Sequence, residues 1–195
     1  KRLESFTGAI AAIAAQDLAG WRGELDVSEA MMRVTLRIVS EVLLGTRTAK
    51  DAADIGRAID DSQRYVEAVM SRVVTLPKWI PSKRNRMFAR SLEVLDRVAY
   101  EIIDERQRSG ERGDDVVSML LDARYEDGAP LTRERIRNEL VTLLAAGHET
   151  TSNALSWTLM RLSQHPDVAR RLASEVRDVL GDRPPTFAVA EEKRL

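Results

Sequence analysis

Apolar positions recur every three or four residues along almost the whole chain, and no stretch alternates strictly in twos. The pattern predicts helix after helix, with no strand and no internal repeat. A first helix spans about Leu3 to Leu18. Leu3, Phe6, Ile10, Ile13 and Leu18 mark its apolar face, and the Gly20 and Gly23 region breaks it. Asp26 caps a second helix, with Glu29 placed as in a capping box. Val27, Met31, Val34, Ile38 and Val42 form one stripe there, widened by Leu36, Val39 and Leu43. So wide a stripe implies burial on most sides, and Gly45 suits the helix end.

A third helix covers about Ala52 to Val74, with Ile55, Ile59, Val66, Val69 and Val73 inward. Two prolines stiffen the apolar loop Leu76-Pro77-Lys78-Trp79-Ile80-Pro81, which is expected to pack on the body rather than border a ligand entrance. A fourth helix runs from about Ser82 to Gln107, with Leu92, Leu95, Val98 and Ile102 in register. After a polar turn, a short helix from about Asp115 to Ala123 leads into the turn Glu126-Asp127-Gly128-Ala129-Pro130. Thr132 then caps the longest helix, whose pattern runs through Ile136, Leu140, Leu143, Leu144, Ala154, Leu155, Leu159 and Leu162. It continues to His165-Pro166, a length of about 50 Å at 1.5 Å per residue. Pro166 opens a last helix carrying Val168, Leu172, Val176 and Val179, and Gly181 ends it.

The middle of the longest helix breaks its own apolar rule. Ala145 to Trp157 reads AAGHETTSNALSW, and a glycine there costs about 1 kcal/mol relative to alanine. On a helix, Leu143, Ala146, Gly147, Thr150 and Thr151 fall on one broad face. Two readings fit. Small residues let a second helix approach closely. Alternatively, Ala146 and Gly147 make a shallow spot for something flat, while Thr150 bonds the Ala146 carbonyl and loosens the ladder. Glu149 beside that groove would relay protons from solvent.

Composition narrows the options. The 195 residues are 44% hydrophobic and 31% charged with a net charge of -1, an ordinary globular balance that gives no reason to expect nucleic acid as a partner. The basic run Lys83-Arg84-Asn85-Arg86 reads as a solvated helix start rather than a binding patch. There is no cysteine, which removes disulfides, thiol catalysis and thiolate ligation by this chain. His148-Glu149 begins the zinc-protease pattern H-E-x-x-H, but Ser152 stands where the second histidine belongs, so no metal ligands are assigned. No apolar run approaches a membrane span, no signal peptide is evident, and the opening Lys1-Arg2-Leu3 reads as a cut rather than a natural start.

Ala146-Gly147-His148-Glu149-Thr150-Thr151 resembles the motif [AG]-G-x-[DE]-T-[TS] of the cytochromes P-450, haem-thiolate monooxygenases in which it lies on the long central helix. Pro130-Leu131-Thr132, Gln164-His165-Pro166-Asp167, Glu175-Val176 and Val179-Leu180-Gly181 are similar to the same family, most closely from Leu131 to Pro185. The resemblance implies an all-α, multi-helix fragment of that fold with one long central helix at about 131–164. Residues 1–195 would form a single helical region, a partial domain lacking the N-terminal sheet region and the C-terminal cysteine-ligand region. Glu191-Glu192-Lys193-Arg194 satisfies the family's E-x-x-R spacing but lies too near Pro185, and is read as coincidence.

The resemblance assigns roles residue by residue. Ala146 would lie over haem b, with Gly147 keeping the helix close to the macrocycle and Thr151 extending the polar groove. Glu149 and Thr150 would support proton delivery to dioxygen, and Leu143 would help wall the substrate pocket. It further implies a small organic substrate, a ferredoxin or reductase as electron donor in the complete enzyme, and a cytoplasmic location. Because the axial cysteine is absent, the chain by itself is expected to be inactive. The alternative is a non-catalytic helical module that self-associates through exposed apolar helix faces, as a homo-oligomer.

Overall fold

The computed structural model describes residues 2–43, 45, 52–71, 77, 79–113, 115–181 and 183–185, with the side chains of residues 2–5, 43, 52 and 53 left aside. Among the described residues seven α-helices follow one another: α1 (Arg2–Ala19), α2 (Val27–Ile38), α3 (Ala52–Met70), α4 (Lys83–Ser109), α5 (Val116–Asp122), α6 (Arg133–Gln164) and α7 (Pro166–Leu180). A π-helical turn, Val39–Leu43, extends α2. No strand occurs among the described residues; Arg124 and Pro130 form one isolated bridge across the Glu126–Gly128 turn. No described helix is long and apolar enough to cross a membrane.

The caps lie where the residue types place them. The Asp26 carboxylate accepts the Glu29 N–H at 3.1 Å, Ser82 Oγ that of Asn85 at 3.1 Å, and Thr132 Oγ1 that of Arg135 at 3.2 Å. Pro166 occupies the first turn of α7, where its missing N–H costs nothing. The π turn is absent from the sequence pattern because one extra residue in a turn leaves the spacing of apolar positions almost unchanged.

The chain forms two compact units, Lys1–Val42 with Gly147–Leu195, and Leu43–Ala146, with α6 running through the division. In the first, α1 packs on α2. Asp17 accepts from Arg33 at 3.1 Å and from the Trp21 indole at 3.0 Å. The Arg33 bond, with help from Trp21, outweighs burial and holds the Asp17 carboxyl below its usual range. Ile13, Ala30, Met31, Val34, Leu36 and Val39 are buried, so α2 meets the expectation of a wide inward face.

In the second unit α3 and α4 lie side by side. Ile55 and Ile59 are buried as the pattern requires, but Val66 is exposed and its neighbour Tyr65 turns inward instead. Tyr65 stacks on Phe88 with ring centroids 4.0 Å apart, and the larger aromatic surface takes the covered position. The expected inward Val73 lies outside the described residues. Asn85 donates to the Pro77 and Ile80 carbonyls at 2.9 and 2.8 Å and so ties down the proline loop. That loop does not pack as expected. Its backbone is held, yet Trp79 is 81% exposed and Pro77 and Pro81 are open; Leu76 and Lys78 lie outside the described residues.

A charged knot joins the end of α4 to α5. Arg106 pairs with Asp115, both nearly buried, and donates to Ser118 Oγ at 2.8 Å. Burial pushes the Asp115 carboxyl up, but the Ser118 N–H at 2.8 Å and the Arg106 guanidinium outweigh it and leave it below its usual range. Gly45, at φ 62°, sits against this knot: a Cβ there would stand 2.6 Å from Arg106 and 2.9 Å from Asp115. Both the left-handed backbone and the space demand glycine.

Candidate functional site

The two faces of α6 are unlike. Leu140, Leu144, His148 and Ser152, spaced by four, are buried along one side. Ala146, Thr150 and Asn153 are exposed on the other, with Leu143 and Gly147 half-buried between the two. His148 is only 1% exposed, so it belongs to the inward stripe despite its polar side chain. The i, i+4 spacing with Leu140 and Leu144 carried that information, and the polarity of imidazole hid it.

The back of the motif is held by α2. A Cβ built on Gly147 would stand 3.3 Å from Val39 Cγ2, tighter than ordinary van der Waals contact. Val39 is the first residue of the π turn, so glycine and π turn meet at one close helix approach. One turn back on α2, Thr35 Oγ1 lies 2.8 Å from the Met31 carbonyl and 3.1 Å from the His148 carbonyl. Its single proton serves one of these at a time, and the second arrangement joins α2 to the motif's own backbone. Ser152 Oγ donates to the Glu149 carbonyl at 2.9 Å on the same side.

The close-packing reading of the small residues is therefore realised at Gly147. Ala146, Thr150 and Thr151 are not used in this packing and remain exposed, and Glu149 is half-buried. The residues that brace the motif, Thr35 and Val39, had no place among the expected site residues. The signal for Thr35 was a hydroxyl in the middle of a wide apolar stripe, a position that needs a partner when buried.

Such an open face of small residues and hydroxyls on a long helix, braced from behind, can accept a flat apolar group and hold polar atoms at its edge. Comparison with known proteins identifies the family. The sequence model of Cytochrome P-450 matches residues 8–192. Cyclooctat-9-en-7-ol 5-monooxygenase of Streptomyces melanosporofaciens is 30% identical over 193 residues, covering 95% of this chain and 41% of that protein. Pentalenene oxygenase of Streptomyces avermitilis is 29% identical over 189 residues, covering 94% of this chain and 41% of that protein. The crystal structure of a cytochrome P-450 haem domain superimposes with a TM-score of 0.82 at 28% identity, over 98% of this chain and 43% of that one. The chain thus spans about two fifths of the length of the relatives it matches.

Proposed function

Because this chain belongs to the cytochrome P-450 family, we propose that it forms the central helical part of a haem-dependent monooxygenase, with α6 as the wall over one face of the haem. The observation that supports this reading most is the exposure of Ala146 and Thr150 beside a buried His148. A methyl group at the exposed Ala146 would let a flat macrocycle approach the helix backbone more closely than a larger side chain would. The fit is one-sided. The chain holds no cysteine, so its own residues would provide a wall beside the haem but no thiolate ligand.

Haem supplies, when bound, the redox chemistry that places one atom of dioxygen into an organic substrate, with electrons from a ferredoxin or reductase. The residues of α6 do the rest. Leu143 borders the substrate and excludes water from its side. Thr150 Oγ1 holds a proton on the open face, one turn from Ala146. The half-buried Glu149 collects protons from solvent and passes them to that hydroxyl, and Thr151 keeps the path polar.

Haem titration of the chain tests this. Saturable uptake is expected, with weakening of about tenfold or more in Ala146→Phe and none in the exposed-loop variant Trp79→Ala. The reduced carbon monoxide complex should lack the thiolate-type red-shifted band, since the chain brings no cysteine. Equal haem affinity in Ala146→Phe would remove α6 as the wall.

A second reading rests on α7, none of whose residues is buried. Val168, Leu172 and Val176 stand exposed in one row, and the chain would self-associate through them. A mass that rises with concentration, and falls to that of one chain in Leu172→Glu, is expected. A single-chain mass at every concentration would end this reading.

A further inference from the structure

We propose that the cleft between α3 and α4 binds a small organic anion, one with a phosphate or carboxylate head and an apolar body. The cleft holds about 600 Å³, enough for a drug-sized molecule. Asp54, Arg57 and Asp61 line it from α3, and Lys83, Arg86 and Arg90 from α4. Four cationic side chains thus face two carboxylates, a surplus of two positive charges. The floor is apolar, formed by Ala58, Met87 and Val94. A cationic rim over an apolar floor matches a molecule with one anionic end.

The charges that α4 brings to the rim are not spent internally. Arg57 pairs with Asp54, but Lys83, Arg86 and Arg90 make no ion pair with any described residue. Their position is also costly. Lys83, Arg84 and Arg86 occupy the start of α4, and no acidic residue lies in its first turn. A helix start carries positive dipole charge, so each cation there opposes folding. A solvated helix start has no reason to collect such residues on one face. Lys83, Arg86 and Arg90 follow the spacing three and four that keeps side chains together, and they converge on the α3 cleft. An anion relieves both the mutual repulsion and the conflict with the dipole. The inference does not rest on haem or on α6.

Calorimetric titration of the whole chain with 1-naphthyl phosphate, at low and at physiological salt, tests the site. Saturable binding is expected, weaker at higher salt, and weakened about tenfold or more in Arg86→Gln/Arg90→Gln. Lys83→Gln, a single exposed change, should weaken it less, and far-UV circular dichroism checks that each variant stays helical. Arg112→Gln, which loses an exposed pair with Asp122 and a bond to the Glu111 carbonyl, both outside the cleft, should leave it unchanged. Inorganic phosphate should bind more weakly because it leaves the apolar floor uncovered, and neutral 1-naphthol should not bind. No saturable binding to the helical chain, undiminished binding in the double variant, or equal binding of 1-naphthol would each overturn the proposal.

Discussion

Helices α4 and α7 carry the same kind of sequence, an apolar stripe every three or four residues on a densely charged body, yet their fates differ. Seven residues of α4 are buried, among them Leu95, Val98, Ile102 and Ile103, while α7 buries none. Periodicity therefore states which side of a helix seeks cover, and says nothing of whether cover is supplied. In α4 the stripe meets α3 and α5. In α7 Val168, Leu172 and Val176 remain open, so the same kind of stripe that is covered in α4 stays exposed.

Urea unfolding of paired variants would sharpen or break this contrast. Ile103, fully buried, should cost about 2–5 kcal/mol when cut to alanine. Next in size, Arg106→Gln should cost about 3 kcal/mol by leaving the Asp115 carboxylate near-buried without its cation. The same change has a signature in acid. The folded pKa of Asp115 lies below its unfolded value, so its contribution is present above the ordinary value of 3.8 and is lost as pH falls through the folded value. Without Arg106, burial prevails, the folded pKa rises, and acid unfolding should begin at higher pH. An unchanged acid limb would mean that Ser118 alone holds the charge.

Smaller effects are expected where α2 braces the motif. Gly147→Leu should cost about 1–3 kcal/mol, since the new side chain meets Val39 at a distance already tight for a methyl group. Thr35→Val should cost about 1 kcal/mol by removing the hydroxyl shared between the Met31 and His148 carbonyls. Stability gained in either variant would show that the brace is strained rather than supportive. Least of all, Leu172→Ala in α7, 44% exposed, should fall within about 0.5 kcal/mol of the starting chain. A loss comparable with Ile103→Ala would show that α7 is covered in solution, and would favour self-association.

What was legible in the sequence is local. Asp26, Ser82, Thr132 and Pro166 began their helices as their chemistry requires, because a cap needs only an oxygen or a fixed φ within a few residues. The order of the seven described helices, and the placing of Ala146-Gly147 on the longest one, followed from the spacing of apolar positions together with caps, glycines and prolines. The candidate site was half legible. Its small residues and hydroxyls could be put on one side of α6, but the choice between close packing and an open groove could not be made from them.

That choice belonged to the tertiary structure, which made Gly147 a contact with Val39 and left Ala146 and Thr150 open. It also drew His148 inward, turned Tyr65 in place of Val66, left Trp79 in solvent and gathered Lys83, Arg86 and Arg90 beside α3. Each outcome depends on which distant segments do or do not pack against the residue. Residue type and spacing set what each helix face prefers, through propensity and periodicity over a few turns. Only the packing of distant segments decides which preference is met, because burial and charge are properties of the space between elements rather than of any one of them.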